Sequence, residues 1–408
     1  MRTGLFYLQA AKRHELADLH YLAATSALTR AIGNTIHQVQ RERGLSNLLL
    51  ASAGQRAGDA LAQQIGRTNQ TLAALQQAFD QLDLVRQRPG SATRLYSMIA
   101  YALQGLQALP ALRTHVAALD WSTQRSTRAY SRLVSALLSV VFEAADTATD
   151  PDISRLLVGM FHFMQAKELA GQERAFGTAM FASATAGQPE QRQLQQLIDS
   201  QQRCLQTFAD FASDAALKLW QSTQVHAVSR RLAQLRGVLL TSTSHGALNS
   251  DTSPTWFEVC SERIDQMKTV EDALADHLQS LCQHKAAQAE QELQRLLGVT
   301  EAAATGDFFD DAVVQPEPQP GHALETRLGR SVLQLVHAQA QRLAAVNDEL
   351  DQVRATLTER KSIERAKGLL MAQHGWSENQ AHAALRQSAM NQGRRLVDVA
   401  LALCNAAA

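Results

Sequence analysis

Little in this 408-residue chain breaks or cross-links a backbone: it holds 8 prolines, 21 glycines and 4 cysteines, and aromatic residues make up 5% of it. With so few breakers and so much Ala, Leu and Gln, there is little material for a sheet, and an all-α fold is expected. Cys204, Cys260, Cys282 and Cys404 are scattered without CxxC or Cys/His spacing, which excludes a zinc site and a disulfide framework. Net charge is also lacking, at +0. A generally sticky nucleic-acid binder is thereby excluded, and any such contact falls to a local patch. The run Lys12-Arg13-His14-Glu15 interrupts the first apolar stretch, and no later stretch holds roughly 18 uncharged apolar residues. Neither signal peptide nor membrane span is expected, and the cytoplasm is the expected compartment. His37, His162, His226 and His245 show no ligand spacing and no nucleophile and base stand together. No catalytic residue, metal or cofactor is expected, and the chain does not look like an enzyme.

At this length at least two domains are expected. Helical patterns run over residues 22–53, 58–84, 91–109 and 121–148, separated by Arg88-Pro89-Gly90, Pro110 and Asp150-Pro151-Asp152. Four helices with short connections form an antiparallel bundle, each burying one stripe. A second set follows. One helix carries Met160, Phe163, Ala170, Gly177 and Phe181, and the next spans 193–211. A third passes through Val225, Val228, Leu232, Leu235 and Leu239, and the last covers 256–297. Gln40-Arg41-Glu42-Arg43-Gly44 in the first set is echoed by Gln172-Glu173-Arg174-Ala175 in the second, which suggests two related bundles side by side.

Three arginines lie on or beside these apolar stripes: Arg43 between Val39 and Ser46, Arg174 in line with Ala170 and Gly177, and Arg236 one turn from Leu232 and Leu239. Each precedes a small residue, Gly44, Ala175 or Gly237, where another helix can approach. Guanidinium groups converging in a dry gap repel one another, and a small planar oxyanion between them relieves the cost. Spacing alone favours the plainer arrangement, ordinary interhelical ion pairs with Glu42, Glu168 and Glu173.

Residues 299–321 turn to Ala, acidic residues and Pro and read as a linker. From 322 to 357 an apolar strip through Val332, Val336, Leu343, Val346, Leu350 and Val353 marks a long connecting helix. The strip is either the seam of a dimeric coiled coil, and so of a homodimer, or a face that docks on the first domain. Residues 358–405 then form a small three-helix module around Leu369, Leu370, Leu385, Ala389, Leu396 and Val399. In it Arg360, Lys361, Arg365, Lys367, Arg386, Arg394 and Arg395 concentrate positive charge, the footprint of a polyanion site.

The string Ile363-Glu364-Arg365-Ala366-Lys367-Gly368-Leu369-Leu370-Met371, with Arg360, Gly375, Ser377, Ala381, Leu385, Ala389-Met390, Leu396 and Asp398-Val399-Ala400, resembles the ANTAR family of RNA-binding antitermination modules. The resemblance implies binding to leader-mRNA hairpins so that a terminator cannot form, with Arg360, Lys367, Arg386 and Arg395 as the residues touching RNA. Upstream, Gln40 through Asn47 (QRERGLSN), Lys167 through Ala175 and Trp256-Phe257 resemble the NIT family of nitrate- and nitrite-sensing helical domains, over residues 22–298. That resemblance implies nitrate or nitrite as effector, held by Arg43. Arg236 is the opposing arginine, with Arg231 and Arg263 as alternatives, and Arg174 is a third member. The expected whole is a one-component regulator, in which the anion releases the module to bind RNA and so promotes antitermination of nitrate-assimilation genes. The alternatives are a sensor of a different small anion and a DNA-binding regulator.

Overall fold

A computed structural model describes residues 4–82, 92–148, 150–184, 186–224, 227–242, 248–298 and, within 359–406, all but 360, 361, 364, 372, 375 and 377. Among the described residues the regular elements are all α-helices. The first bundle comprises α1 (Gly4–Ala51), α2 (Gly58–Asp80), α3 (Ala92–Ala117) and α4 (Thr123–Thr147). Then come α5 (Pro151–Ala182), α6 (Gln188–Phe211), α7 (Asp214–Gln224), α8 (Ala227–Thr241) and α9 (Thr252–Leu297).

Three departures from the sequence pattern have physical causes. Helix α1 starts at Gly4 rather than near residue 22. The polar run that looks like an interruption is neutralised from outside: buried Lys12 pairs with Glu15 at 2.8 Å and with Glu292 of α9 at 2.5 Å, while Leu5 and Leu8 pack on Leu296. Helix α3 continues through Pro110 to Ala117. Pro110 is exposed there, and Leu109, Leu112 and Val116 anchor both sides of the lost hydrogen bond in the core. Helix α7 has no counterpart in the expected set. It buries no residue fully, and Leu217, Leu219 and Trp220 pack half-buried against the edge of the main cluster. The Asp150 boundary holds as expected, its side chain accepting from the Ile153 N–H at 3.1 Å ahead of Pro151.

The two bundles are less separate than a pair of repeats. Helix α1 packs along α9 and α4 along α5, so one apolar cluster runs from Leu19 through Leu137 and Phe163 to Ala289. A smaller cluster around Trp256, Phe181 and Leu239 closes the far end of the second bundle. At the junction α1, α4, α5 and α9 enclose a polar interior.

In the C-terminal region, helical residues 365–371, α10 (Glu378–Gln392) and α11 (Leu396–Ala406) gather Ala366, Leu370, Leu385, Ala389 and Val399 into the expected apolar centre. Gly393, at φ 60°, ends α10, and the next N–H, of Arg394, returns to the Ala389 carbonyl at 3.1 Å. The linker expected over 299–321 and the connecting helix expected over 322–357 lie outside the described residues.

Candidate functional site

Arg43 is fully buried on α1 and faces α5. Its Nη1 donates to Glu168 Oε1 at 2.5 Å and to Ser131 of α4 at 2.8 Å, and its Nη2 reaches Glu168 Oε2 at 3.2 Å. Two amides converge on the same carboxylate: Gln40 Nε2 at 2.8 Å and Gln172 Nε2 at 2.9 Å. The plainer arrangement suggested by spacing is therefore realised at Arg43. Its Nε has no hydrogen-bond partner among the described residues.

Arg174 faces back from α5. Its Nη2 donates to the Gln40 carbonyl and its Nη1 to Ser261 Oγ, both at 2.9 Å, and its guanidinium lies 4.8 Å from the centre of the Phe257 ring. Its described partners include no carboxylate, and its buried Nε has no hydrogen-bond partner among the described residues. Burial first, and the charge of Arg43 second, pull its pKa down to about 10. Two glycines make the approach fit. A methyl at Gly44 would lie 2.8 Å from Arg174 Nη2, and one at Gly171 would lie 2.4 Å from Arg43 Nη2. Each helix thus lacks a side chain where the other inserts an arginine. Gly44 is the close approach its place in the stripe implied, whereas a methyl at Gly237 would meet no neighbouring helix within 4 Å among the described residues.

Arg236 sits elsewhere. From α8 its Nε and Nη2 clasp Glu173 at 2.6 and 2.7 Å. Burial disfavours its charge, but the hydrogen bonds and charge of Glu173 outweigh that and raise its pKa. Arg263, whose pKa burial lowers, joins the same group through Gln201 at 2.7 Å and Glu173 at 3.6 Å. Arg231 is exposed. The structure therefore brings Arg43 together with Arg174 and groups Arg236 with Arg263 around Glu173. The described contacts do not join Arg236 to Arg43.

Sequence reasoning missed the charges beneath this site. Lys167, fully buried, pairs with Glu271 of α9 at 2.6 Å, and burial lowers its pKa despite that partner. Gly33 makes room, since a methyl there would stand 2.9 Å from Glu271 Oε1. Close by, buried His37 is held neutral, its pKa pushed down to about 2 by burial and then by Lys167, Lys268, Arg41 and Arg174. Asp265, 3.7 Å away, is too distant to offset this. The folded chain refuses a proton that the unfolded chain accepts below its usual value of 6.5. Stability is therefore unaffected by His37 above that pH and falls below it. Between about pH 6 and 5 we expect His37→Gln to remove a loss approaching ~1.4 kcal/mol per pH unit, seen in urea midpoints of the two proteins. Equal slopes would mean that His37 titrates normally.

In the C-terminal module Arg386 and Arg395 are exposed, and so are Arg365 and Arg394. Among the described residues Arg395 makes loose pairs, with Asp398 and Glu359 at 3.3 Å each. Lys367 is 6% exposed, so most of its side chain is packed in the module. Arg360 lies outside the described residues.

The comparisons with known proteins bear on both ends of the chain. The family described as nitrate and nitrite sensing (NIT) matches residues 34–279, and the ANTAR domain matches residues 351–403. A nitrate regulatory protein of Klebsiella oxytoca is 33% identical over 399 residues, covering 96% of this chain and 92% of that one. The solved structure of the NasR transcription antiterminator superposes with a TM-score of 0.62 at 29% identity, covering 98% of each chain. None of the described helices is long and apolar enough to cross a membrane.

Proposed function

The chain belongs to the nitrate and nitrite sensing family and carries an ANTAR domain, and from that premise we propose how it joins sensing to RNA. It is a nitrate-responsive antitermination regulator. Residues 22–298 form the sensor and 358–405 the RNA-binding module. The observation that carries the sensing half is the facing pair Arg43 and Arg174, between which Glu168 is the only carboxylate hydrogen-bonded to either among the described contacts. These three groups sum to one positive charge, and a monovalent oxyanion neutralises it. Nitrate or nitrite binds against Arg43 and Arg174. Arg236, clasping Glu173 beside Arg174, fixes α8 and α5 around the site and joins it only if Glu173 lets go.

Coupling follows from the helix that supports Arg174. Phe257 and Ser261 lie near the start of α9, which runs on to Leu297, about 54 Å away at 1.5 Å per residue. From there the chain enters the segment leading to the module. An anion that redraws the contacts of Arg174 shifts α9, whose far end leads into that segment. The ligand acts only through its differential affinity for the two positions.

The RNA half rests on exposed Arg386 and Arg395, with Arg360 and Lys367 as the further positions implied by the family motif. Phosphate oxygens replace the loose pairs of Arg395 at little cost. The test is a titration of the full chain with its leader hairpin RNA. Nitrate is expected to tighten binding roughly tenfold or more, a coupling of about 1.4 kcal/mol, with duplex DNA of the same sequence bound far more weakly. Arg386→Ala and Arg395→Ala are expected to weaken the RNA complex without altering nitrate binding. Equal RNA affinity with and without nitrate would overturn the proposal.

A further inference from the structure

The geometry points to Glu168 as an internal anion, filling the place that the effector must take and so setting both the sensitivity and the shape selectivity of the sensor. This rests on the reading that Arg43 binds the effector. Four donors converge on the Glu168 carboxylate: the two Nη groups of Arg43, Gln40 Nε2 and Gln172 Nε2. They come from two helices, and Ser131 on α4 fixes the guanidinium from behind. This is a complete cradle for two oxygens held in one plane. Carboxylate, nitrate and nitrite share that planar O–X–O edge, whereas sulfate is tetrahedral and chloride is a single atom.

An ion pair that served only to join α1 to α5 would need no more than the Arg43 fork. Here two neutral amides also face the carboxylate, from residues one turn or less along each helix, and Gly171 is bare where Arg43 lies. Nearby Arg174, with an unpartnered Nε, supplies charge that Glu168 alone does not neutralise. Nitrate competes with Glu168 for the cradle, so its apparent affinity is its intrinsic affinity reduced by the fraction of molecules in which the carboxylate has swung out. The internal competitor keeps the sensor off at low anion concentration and makes release of Glu168 the event that distinguishes the bound state.

The test is isothermal titration of the full chain with sodium nitrate, using wild type, Glu168→Gln and Glu168→Ala, with folding followed by circular dichroism. Removing the charge while keeping the shape, in Glu168→Gln, is expected to tighten nitrate binding roughly tenfold. Glu168→Ala is expected to bind at least as tightly. Formate added to Glu168→Ala should refill the cradle, raising the apparent nitrate Kd at concentrations roughly tenfold lower than those needed in wild type, where Glu168 competes with both anions. A purely structural Glu168 produces no such difference between the variant and wild type. Folded variants that bind nitrate no more tightly than wild type, or an alanine variant indifferent to formate, overturn the inference and leave the sensing role of Arg43 standing. If wild type itself does not bind nitrate, that reading fails and the inference falls with it.

Discussion

Replacing Arg43 with alanine is expected to destabilise the sensor by about 3–5 kcal/mol and to abolish the rise in melting temperature that nitrate produces in wild type. The first effect follows from what is left behind. Glu168 is 5% exposed and would keep only Gln40 and Gln172, two neutral donors, for a buried full charge. Ser131 would lose its buried partner as well. Removing both charges separates the structural contribution of Arg43 from its ligand contribution. In Arg43→Met with Glu168→Gln the uncompensated charge is gone, and most of the lost stability should return, because a buried pair is often replaced by neutral groups at little net cost. Nitrate binding should not return, since the fork that holds the anion is still missing. Urea midpoints for the single and double variants, with and without nitrate, give all four quantities. A double variant that regains both stability and nitrate response would remove Arg43 from the anion site.

This pair also shows how far the sequence could be read. The stripe that places Arg43 between Val39 and Ser46 fixes which helix face it occupies, and the bare position at Gly44 says that another element comes close there. Both follow from helical periodicity, a local property. Which arginine stands opposite is a property of helix rotation and crossing, and periodicity carries no information on it. Arg174 and Arg236 look alike on their own stripes, yet Arg236 finds Glu173 on α5, while Arg174 finds a serine, a carbonyl and an aromatic ring. The carboxylates Glu42, Glu168 and Glu173 were visible as partners, but each could be allotted to several arginines. Glu42 in fact goes to Arg113 of α3, at 2.7 and 2.8 Å, and also accepts from Tyr130 at 3.0 Å. Lys367 makes the complementary point: counting basic residues locates a charged module but does not say how far each side chain is packed, and Lys367 is 6% exposed. The bundle itself was legible because few breakers interrupt it. The errors at α1 and at Pro110 arose where neighbouring helices stabilise what the local sequence disfavours.

Changing Gly171 to alanine is expected to lower stability by about 1–3 kcal/mol and to weaken nitrate binding roughly tenfold, whereas the same change at Gly237 should be neutral or stabilising by up to about 1 kcal/mol. Helix propensity acts alike at both positions, because both glycines lie within α-helices, α5 and α8, where alanine is the better helix former. Space acts oppositely. The added methyl at Gly171 would stand 2.4 Å from Arg43 Nη2 and 3.9 Å from Glu168 Oε2, while one at Gly237 would meet nothing within 4 Å among the described residues. A guanidinium at the end of a free side chain would simply swing aside. Arg43 has no such freedom, because Glu168 and Ser131 hold its fork in the plane that the anion requires. Relieving the methyl contact therefore means breaking the fork, and the steric and binding losses should appear together. Melting temperatures and nitrate titrations on the two variants decide the matter. Equal stabilisation by both alanines would show that Gly171 is not kept bare for Arg43, and the close seating of α1 on α5 would then have to be explained without the anion.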